Sequence, residues 1–265
     1  MVNSTNVTKK TVNVVVGSPI YRQGAYIVDK FLANQREIQQ EYPLSELALA
    51  TNEDDFVEEL ERLLTFWEIR GKVIPYETVK PDYARSRVWN VACGREAIRQ
   101  YTLLQTEARY LLSIDADMIY EPAIIKIMEK EVQGYDVVFS GCPIRGYGVG
   151  LAGAGCMMLT RSTLERIKFR CVEFKNGEVM TEDNLLEMDL FRLKSRITRG
   201  FFLHASHYKS EKEARHIAPQ PVGMYQRLTT YAFVRYALFR ASLMVKQNIP
   251  WKMKVLADRL RGDVW

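Results

Sequence analysis

An apolar run, Leu111-Leu112-Ser113-Ile114, ends in two carboxylates one residue apart, Asp115 and Asp117. Residues at i and i+2 share a face of an extended chain. An Asp-Ala-Asp turn at a strand end therefore aims both carboxylates at one divalent cation. Hard oxygen donors suit Mg²⁺ or Mn²⁺, which can in turn hold a pyrophosphate. Asp is also common in solvated strand-end turns. The pair therefore draws its weight from what surrounds it.

Residues 11–16 are β-branched except for Asn13 and lead to Gly17-Ser18-Pro19. They read as a buried parallel strand opening into a loop. Residues 25–40 carry a helical stripe of Ile27, Val28, Phe31, Leu32 and Ile38. A second strand over 44–51 meets the acidic turn Asn52-Glu53-Asp54-Asp55, and an amphipathic helix over 56–70 stops at Gly71. A short strand over 73–76, a long helix over 85–106 and a strand over 110–114 follow. Strand alternating with helix predicts an α/β fold with a parallel sheet, whose ligands bind beyond the carboxyl ends of its strands. The loop at 17–19, the turn at 52–54 and the turn at 115–117 all fall at such ends.

Downstream, the pattern gives a helix over 123–133 and a strand over 136–140. A run with six glycines between 141 and 155 follows, read as an active-site loop, then a strand over 156–159 and a helix over 161–167. Residues 175–178 read as a hairpin or loop, 183–196 as a helix with Thr181 as its cap, and 201–205 as a short strand that leads to His207. The glycine run lacks the phosphate-loop signature. No Gly-x-Gly-x-x-Gly follows the first strand, which disfavours dinucleotide binding.

The chain has 265 residues, 47% of them hydrophobic, which suits one large domain or a domain with an appendage. Its four cysteines form no Cys-x-x-Cys pair, arguing against structural zinc and a disulfide framework. The polar first ten residues lack a signal-peptide core, and no stretch is long and apolar enough to span a bilayer. A cytoplasmic location is expected. The net charge of +5 is uneven. From Leu190 onward there are 15 Lys and Arg against 4 Asp and Glu, a net +11, while the preceding residues carry −6. The basic part calls for an anionic partner.

These motifs, from residue 11 to about 210, resemble the GT-A-type glycosyltransferases, in particular the inverting family 2. The resemblance implies an α/β, Rossmann-type, mostly parallel sheet flanked by helices. It implies transfer of a sugar from a nucleotide-diphosphate sugar to an acceptor hydroxyl with Mn²⁺ or Mg²⁺, the acceptor being a glycan, a lipid-linked molecule or a protein. Ser18, Pro19 and Tyr21 would belong to the nucleotide site, with Tyr21 stacking on the base. Asn52, Glu53 and Asp54 would read base or ribose. Asp117 would ligate the metal, and Asp115 would contact ribose or the metal shell. Asp183, ahead of Glu182, would be the catalytic base. His207, with His204 as its rival, would complete the metal shell. Arg85, Arg87 and Arg95 are candidates to neutralise the diphosphate.

Residues 1–220 thus read as the catalytic domain. Residues 221–265 read as a basic amphipathic helical extension, where Tyr225, Tyr231, Arg235, Arg240 and Trp251 mix aromatic and cationic character. That mixture suits peripheral contact with an anionic membrane face, a homo-oligomer contact, or packing on the body. Two rival classes are sugar-phosphate nucleotidyl transfer and a non-enzymatic membrane or nucleic-acid binding protein. The first lacks its glycine-rich loop after strand one; the second leaves the aspartate pair unexplained, and nucleic acid is disfavoured.

Overall fold

A computed structural model describes residues 9–78, 86–140, 155–174 and 179–219, together with Val234, Ala237, Arg240, Ala241 and Met244, which are helical. The glycine run before Gly155, the loop at 175–178, Arg85 and the rest of the extension lie outside the described residues.

In chain order the elements are β1 (Val14–Pro19), α1 (Ala25–Glu41), β2 (Ser45–Thr51), α2 (Asp54–Phe66), β3 (Gly71–Pro75), α3 (Ser86–Gln105), β4 (Tyr110–Ile114) and β5 (Met118–Tyr120). Then come α4 (Ile124–Glu131), β6 (Val137–Ser140), β7 (Cys156–Thr160), α5 (Arg161–Leu164), β8 (Val172–Glu173), β9 (Val179–Met180), α6 (Glu182–Arg192), β10 (Ile197–Gly200), β11 (Ala205–Tyr208) and β12 (Ala214–Ile217). The main sheet has the order β10-β6-β7-β4-β1-β2-β3. Its pairs are parallel except at β7, which runs antiparallel to both β4 and β6. The chain builds outward from β1 through β2 to β3, then returns through α3 to place β4 on the other side of β1. The crevice at that reversal is where α/β sheets bind ligands.

Alternation within the apolar strands divides the core in two. Val14, Val16, Leu47, Leu49, Leu112 and Ile114 face α1, α2 and α4, meeting Phe31, Phe56, Leu60 and Ile124. Val15, Ala48, Leu111, Phe139 and Met157 face the opposite way, toward Ile98 of α3, Leu164 of α5 and Leu186 of α6. Both faces of the sheet are covered, so its strands read as unbroken apolar runs.

Several boundaries differ from the sequence reading. β1 runs through Gly17-Ser18-Pro19, all buried, so these residues are strand and not loop. Gly17 allows this: a Cβ there would sit 2.5 Å from Ile98 Cγ2, so α3 packs directly on the strand. The helix expected over 56–70 begins at Asp54 and ends at Phe66. Gly71 opens β3 because a side chain there would press on the Leu47 carbonyl at 2.9 Å. The helix expected over 183–196 ends at Arg192, and β10 follows it into the main sheet. The strand expected over 201–205 is displaced to β11. There it pairs antiparallel with β12 on one side and with β5 on the other, in a three-stranded second sheet. No helix among the described residues is long and apolar enough to cross a membrane.

Candidate active site

The Asp-Ala-Asp turn joins the two sheets. β4 ends at Ile114 and β5 begins at Met118, with Met118 N donating to the Asp115 carbonyl. β7 runs alongside, and Asp115 N donates to the Gly155 carbonyl at 3.2 Å. On the other side, β11 sets His207 opposite Met118. Tyr208 N donates to the Asp117 carbonyl, and His207 Nε2 lies 3.2 Å from Asp117 Oδ2. That hydrogen bond raises the His207 pKa against the effect of its partial burial.

Asp115 turns the other way, toward α3. Arg95 Nη2 donates to Asp115 Oδ1 at 2.8 Å, and Arg95 Nη1 donates to Glu182 Oε1 at 2.5 Å and Asp183 Oδ1 at 3.3 Å. Burial opposes the Arg95 charge, but the three carboxylates outweigh it and raise its pKa. Desolvation raises the Asp115 pKa; Arg95 opposes that rise and Asp117 adds to it. Side-chain exposure separates a floor from a front. Arg95 and Glu182 keep 5% and 7%. Asp115 keeps 44%, Asp183 32%, Asp117 36% and His207 33%. The front can meet a ligand, and the floor holds it in place.

Glu182 and Asp183 open α6, where carboxylates favour the helix dipole. Thr181 stands at the N-cap position but makes no side-chain cap bond; its Oγ1 instead accepts from Asn184 Nδ2 at 2.8 Å. Further along α6, Arg199 of β10 pairs with Glu187, and Arg170 holds Asp189 with both Nη atoms.

The other side of the crevice is polar and knitted together. Tyr21 Oη lies 2.8 Å from Tyr76 Oη, and Tyr76 Oη donates to the Asn90 carbonyl. Burial pushes both hydroxyls well above the usual phenol range, so both stay neutral. Asn52 Nδ2 donates to Thr78 Oγ1, which donates to Asn90 Oδ1. Asn52 Oδ1 and Ser18 Oγ are buried without a hydrogen-bond partner among the described residues. Glu53 Oε2 accepts from Arg22 N at 2.7 Å, tying the turn after β2 to the chain after β1. Asp54 is exposed in the first turn of α2.

The structure thus gathers Asp115, Asp117, Glu182, Asp183 and His207 at one end of β4, and sets Asn52, Glu53 and Tyr21 at the adjoining strand ends. His204 is exposed on the loop before β11, where its backbone exchanges hydrogen bonds with Glu121. Pro19 and Ser18 are buried in β1. The side chain of Arg87 lies outside the described residues. Arg95 is engaged by carboxylates, not open to a diphosphate. Ala92, Arg95, Arg99 and Thr102 follow at helical intervals and all are buried, a stripe that the fold reveals and the sequence does not. Tyr76, Thr78 and Asn90 carry no motif, and only the fold reveals them.

A cation would find Asp117 and His207 as partners from the protein. Among the described residues, no group of three or more His, Cys, Asp or Glu gathers to hold a metal ion alone. A small hard cation is commonly carried by one or two carboxylates plus substrate phosphates rather than by an all-protein cage, and Asp117 would be such a carboxylate.

No family model and no curated protein sequence matches the chain. Solved structures do. The crystal structure of S. aureus TarS 1–349 aligns with a TM-score of 0.51 at 14% identity, over 92% of this chain and 77% of that one. The mannosyltransferase PcManGT from Pyrobaculum calidifontis, in complex with GDP-Man and Mn²⁺, aligns with a TM-score of 0.50 at 14% identity, over 72% of this chain and 56% of that one. The TarS 1–349 complex with UDP aligns with a TM-score of 0.47 at 15% identity, over 71% of this chain and 57% of that one. The chain therefore spans little more than half the length of two of these structures. At such identities the likeness is one of architecture, and the chain has the GT-A-type fold of these glycosyltransferases.

Proposed function

We propose that this chain is a nucleotide-sugar-dependent glycosyltransferase that uses Mn²⁺ or Mg²⁺ and inverts the anomeric centre. One observation carries the reading: the Asp115 carboxylate and the Glu182–Asp183 pair, far apart in sequence, meet at the single Arg95 guanidinium beside the sheet's ligand-binding edge. The fold shared with a mannosyltransferase that binds GDP-Man and Mn²⁺ supports it.

Asp117 and His207 would hold the cation, which when bound offsets the charge of the departing diphosphate. Asn52, Glu53 and Tyr21 would line the nucleoside end. Asp183 is the better base of its pair. Its side chain is 32% exposed and its bond to Arg95 is the longer one, whereas Glu182 is buried against the guanidinium. Asp183 would take the proton from the acceptor hydroxyl as that oxygen bonds to the anomeric carbon. The bond from that carbon to the diphosphate oxygen breaks, and the nucleoside diphosphate leaves. The acceptor, be it glycan, lipid-linked or protein, would enter from the Asp183 side.

The test is a thermal-shift panel of UDP, GDP, CDP and TDP, with and without Mn²⁺, on the wild type and on Asp117→Ala. A ligand that binds the folded state raises the midpoint by mass action. A Mn²⁺-dependent rise with one nucleotide, lost in the variant, is expected. A wild type indifferent to all four nucleotides would overturn the reading.

A further inference from the structure

Arg95 reaches both halves of the site from α3. Its three carboxylate partners stand 20, 87 and 88 residues away in the sequence. One of them, Asp115, belongs to the turn that faces the cation and the donor. The other two open the helix that carries the proposed base. The guanidinium is a rigid planar fork, so two carboxylates bound to its two ends are held at a set separation.

The fork itself starts from a fixed backbone. Gly94 stands so close to the end of β1 that a Cβ there would lie 3.1 Å from Pro19 Cβ and 3.3 Å from the Tyr76 ring. The helix can neither slide nor roll without opening that contact. Arg95 Nε, also buried, has no partner among the described residues, so the carboxylates set the orientation of the fork. The rest of α6 is anchored independently, by Arg199 at Glu187 and by Arg170 at Asp189. What Arg95 controls is its first turn.

We infer that Arg95 is a positioning residue, whose guanidinium locks the Asp115 turn to the first turn of α6 and so sets the distance between the donor side and the base. This inference rests on the transferase reading above. It assigns Arg95 no contact with the diphosphate, because its side chain is 5% exposed and its Nη atoms are taken by carboxylates.

The full chain is compared with Arg95→Lys and Arg95→Met. The double variant Arg95→Met/Glu182→Gln, which removes the buried partner charge as well, is added in case Arg95→Met alone does not fold. Amide exchange is read first. Faster exchange at residues 182–186 and at 115–118, with β1 and β2 protection unchanged, is expected in Arg95→Met or in the double variant. Exchange indistinguishable from wild type at both segments would overturn the tie. Kinetics follow, with hydrolysis of the sugar nucleotide whose diphosphate the wild type binds in the panel above. A displaced base is expected to lower kcat about 100-fold while KM for the donor moves by less than about threefold. Lysine, a point charge without the fork, is expected to recover only a small part of kcat. A rise in KM with kcat unchanged would make Arg95 a diphosphate contact and overturn the assignment. A wild type that binds none of the four nucleotides would fail the transferase reading instead, and the exchange measurement alone would then decide the tie.

Discussion

Asp117 Oδ2 and His207 Nε2 lie 3.2 Å apart although 90 residues separate them. Strand register causes the meeting: β11 sets His207 opposite Met118, and the Tyr208 amide donates to the Asp117 carbonyl. With these two groups as its proposed protein ligands, a cation would depend on diphosphate oxygens for the rest of its shell. His207→Ala is therefore expected to weaken Mn²⁺ binding in the presence of UDP or GDP by about 10- to 100-fold. Because His207 is a third exposed, its loss should leave the nucleotide-free melting temperature nearly unchanged. Calorimetric titration with Mn²⁺ measures the first and thermal melting the second. Unaltered Mn²⁺ affinity would remove His207 from the ligand set.

Gly155 is the counterpart of Asp115 across the β4–β7 edge. A Cβ at this position would lie 2.9 Å from Asp115 Oδ2, closer than side-chain carbons approach an oxygen. Asp115 cannot retreat freely, because its other oxygen is bonded to Arg95. Gly155→Ala should displace the carboxylate by a few tenths of an ångström. Transfer activity is expected to fall about tenfold or more, since small displacements of catalytic geometry are costly. The circular dichroism spectrum and melting temperature are expected to stay close to wild type, and activity equal to wild type would show that the turn tolerates the shift.

The central strands and the aspartate turn were legible because they sit where sheet burial is strongest. Tyr110–Ile114 is apolar on both faces and ends in charge, so pattern and structure coincide. β10 was invisible for the opposite reason. Ile197-Thr198-Arg199-Gly200 has no apolar alternation, and Arg199 is buried against Glu187 and the Phe139 ring. Phe201 and Leu203 suggested a strand by their hydrophobicity, but both are buried in the core, and the β11 ladders begin at Ala205. β5 is three residues long and carries no periodic signal of its own. In the site, the acidic residues could be read as motifs, whereas Arg95 looked like an ordinary helical arginine until its buried stripe was placed against three carboxylates.

Asn34 does for β5 what a neighbouring strand would do. It lies buried on α1, donating from Nδ2 to the Tyr120 carbonyl at 2.7 Å and accepting from the Tyr120 amide at 3.0 Å. Those are the pairing groups of a strand edge, satisfied here by one side chain. Asn34→Ala would remove both of these hydrogen bonds, and a buried polar group that loses its partner costs about 1–3 kcal/mol. A destabilisation of roughly 2 kcal/mol or more is expected in urea unfolding. Because β5 also pairs with the strand that carries His207, amide exchange along β11 should quicken. A loss of stability without faster exchange at residues 205–208 would mean that Asn34 supports α1 and not the site.

Cys171 gives a prediction in pH. It is 7% exposed, with its thiol donating to the Val88 carbonyl at 3.6 Å. Burial first, then the nearby Glu182 charge, pushes the thiol up to about 12 from an ordinary value of 9.0. In the folded chain the thiol therefore keeps its proton through a range in which the unfolded chain loses it. The associated stability is fully present below pH 9 and is lost as the pH rises toward 12. At pH 10 the loss amounts to about 1.4 kcal/mol. Urea unfolding at pH 8 and pH 10 checks this. Cys171→Ala should lose less stability between the two pH values than the wild type, by about that amount, whatever its offset from the lost side chain. The same protonation predicts that iodoacetamide modifies Cys171 at pH 8 far more slowly in the native chain than in urea. Equal pH slopes in the two proteins, together with ready native alkylation, would mean that the thiolate forms within the fold. Cys171 would then be a reactive group behind the α6 carboxylates and not an inert part of their packing.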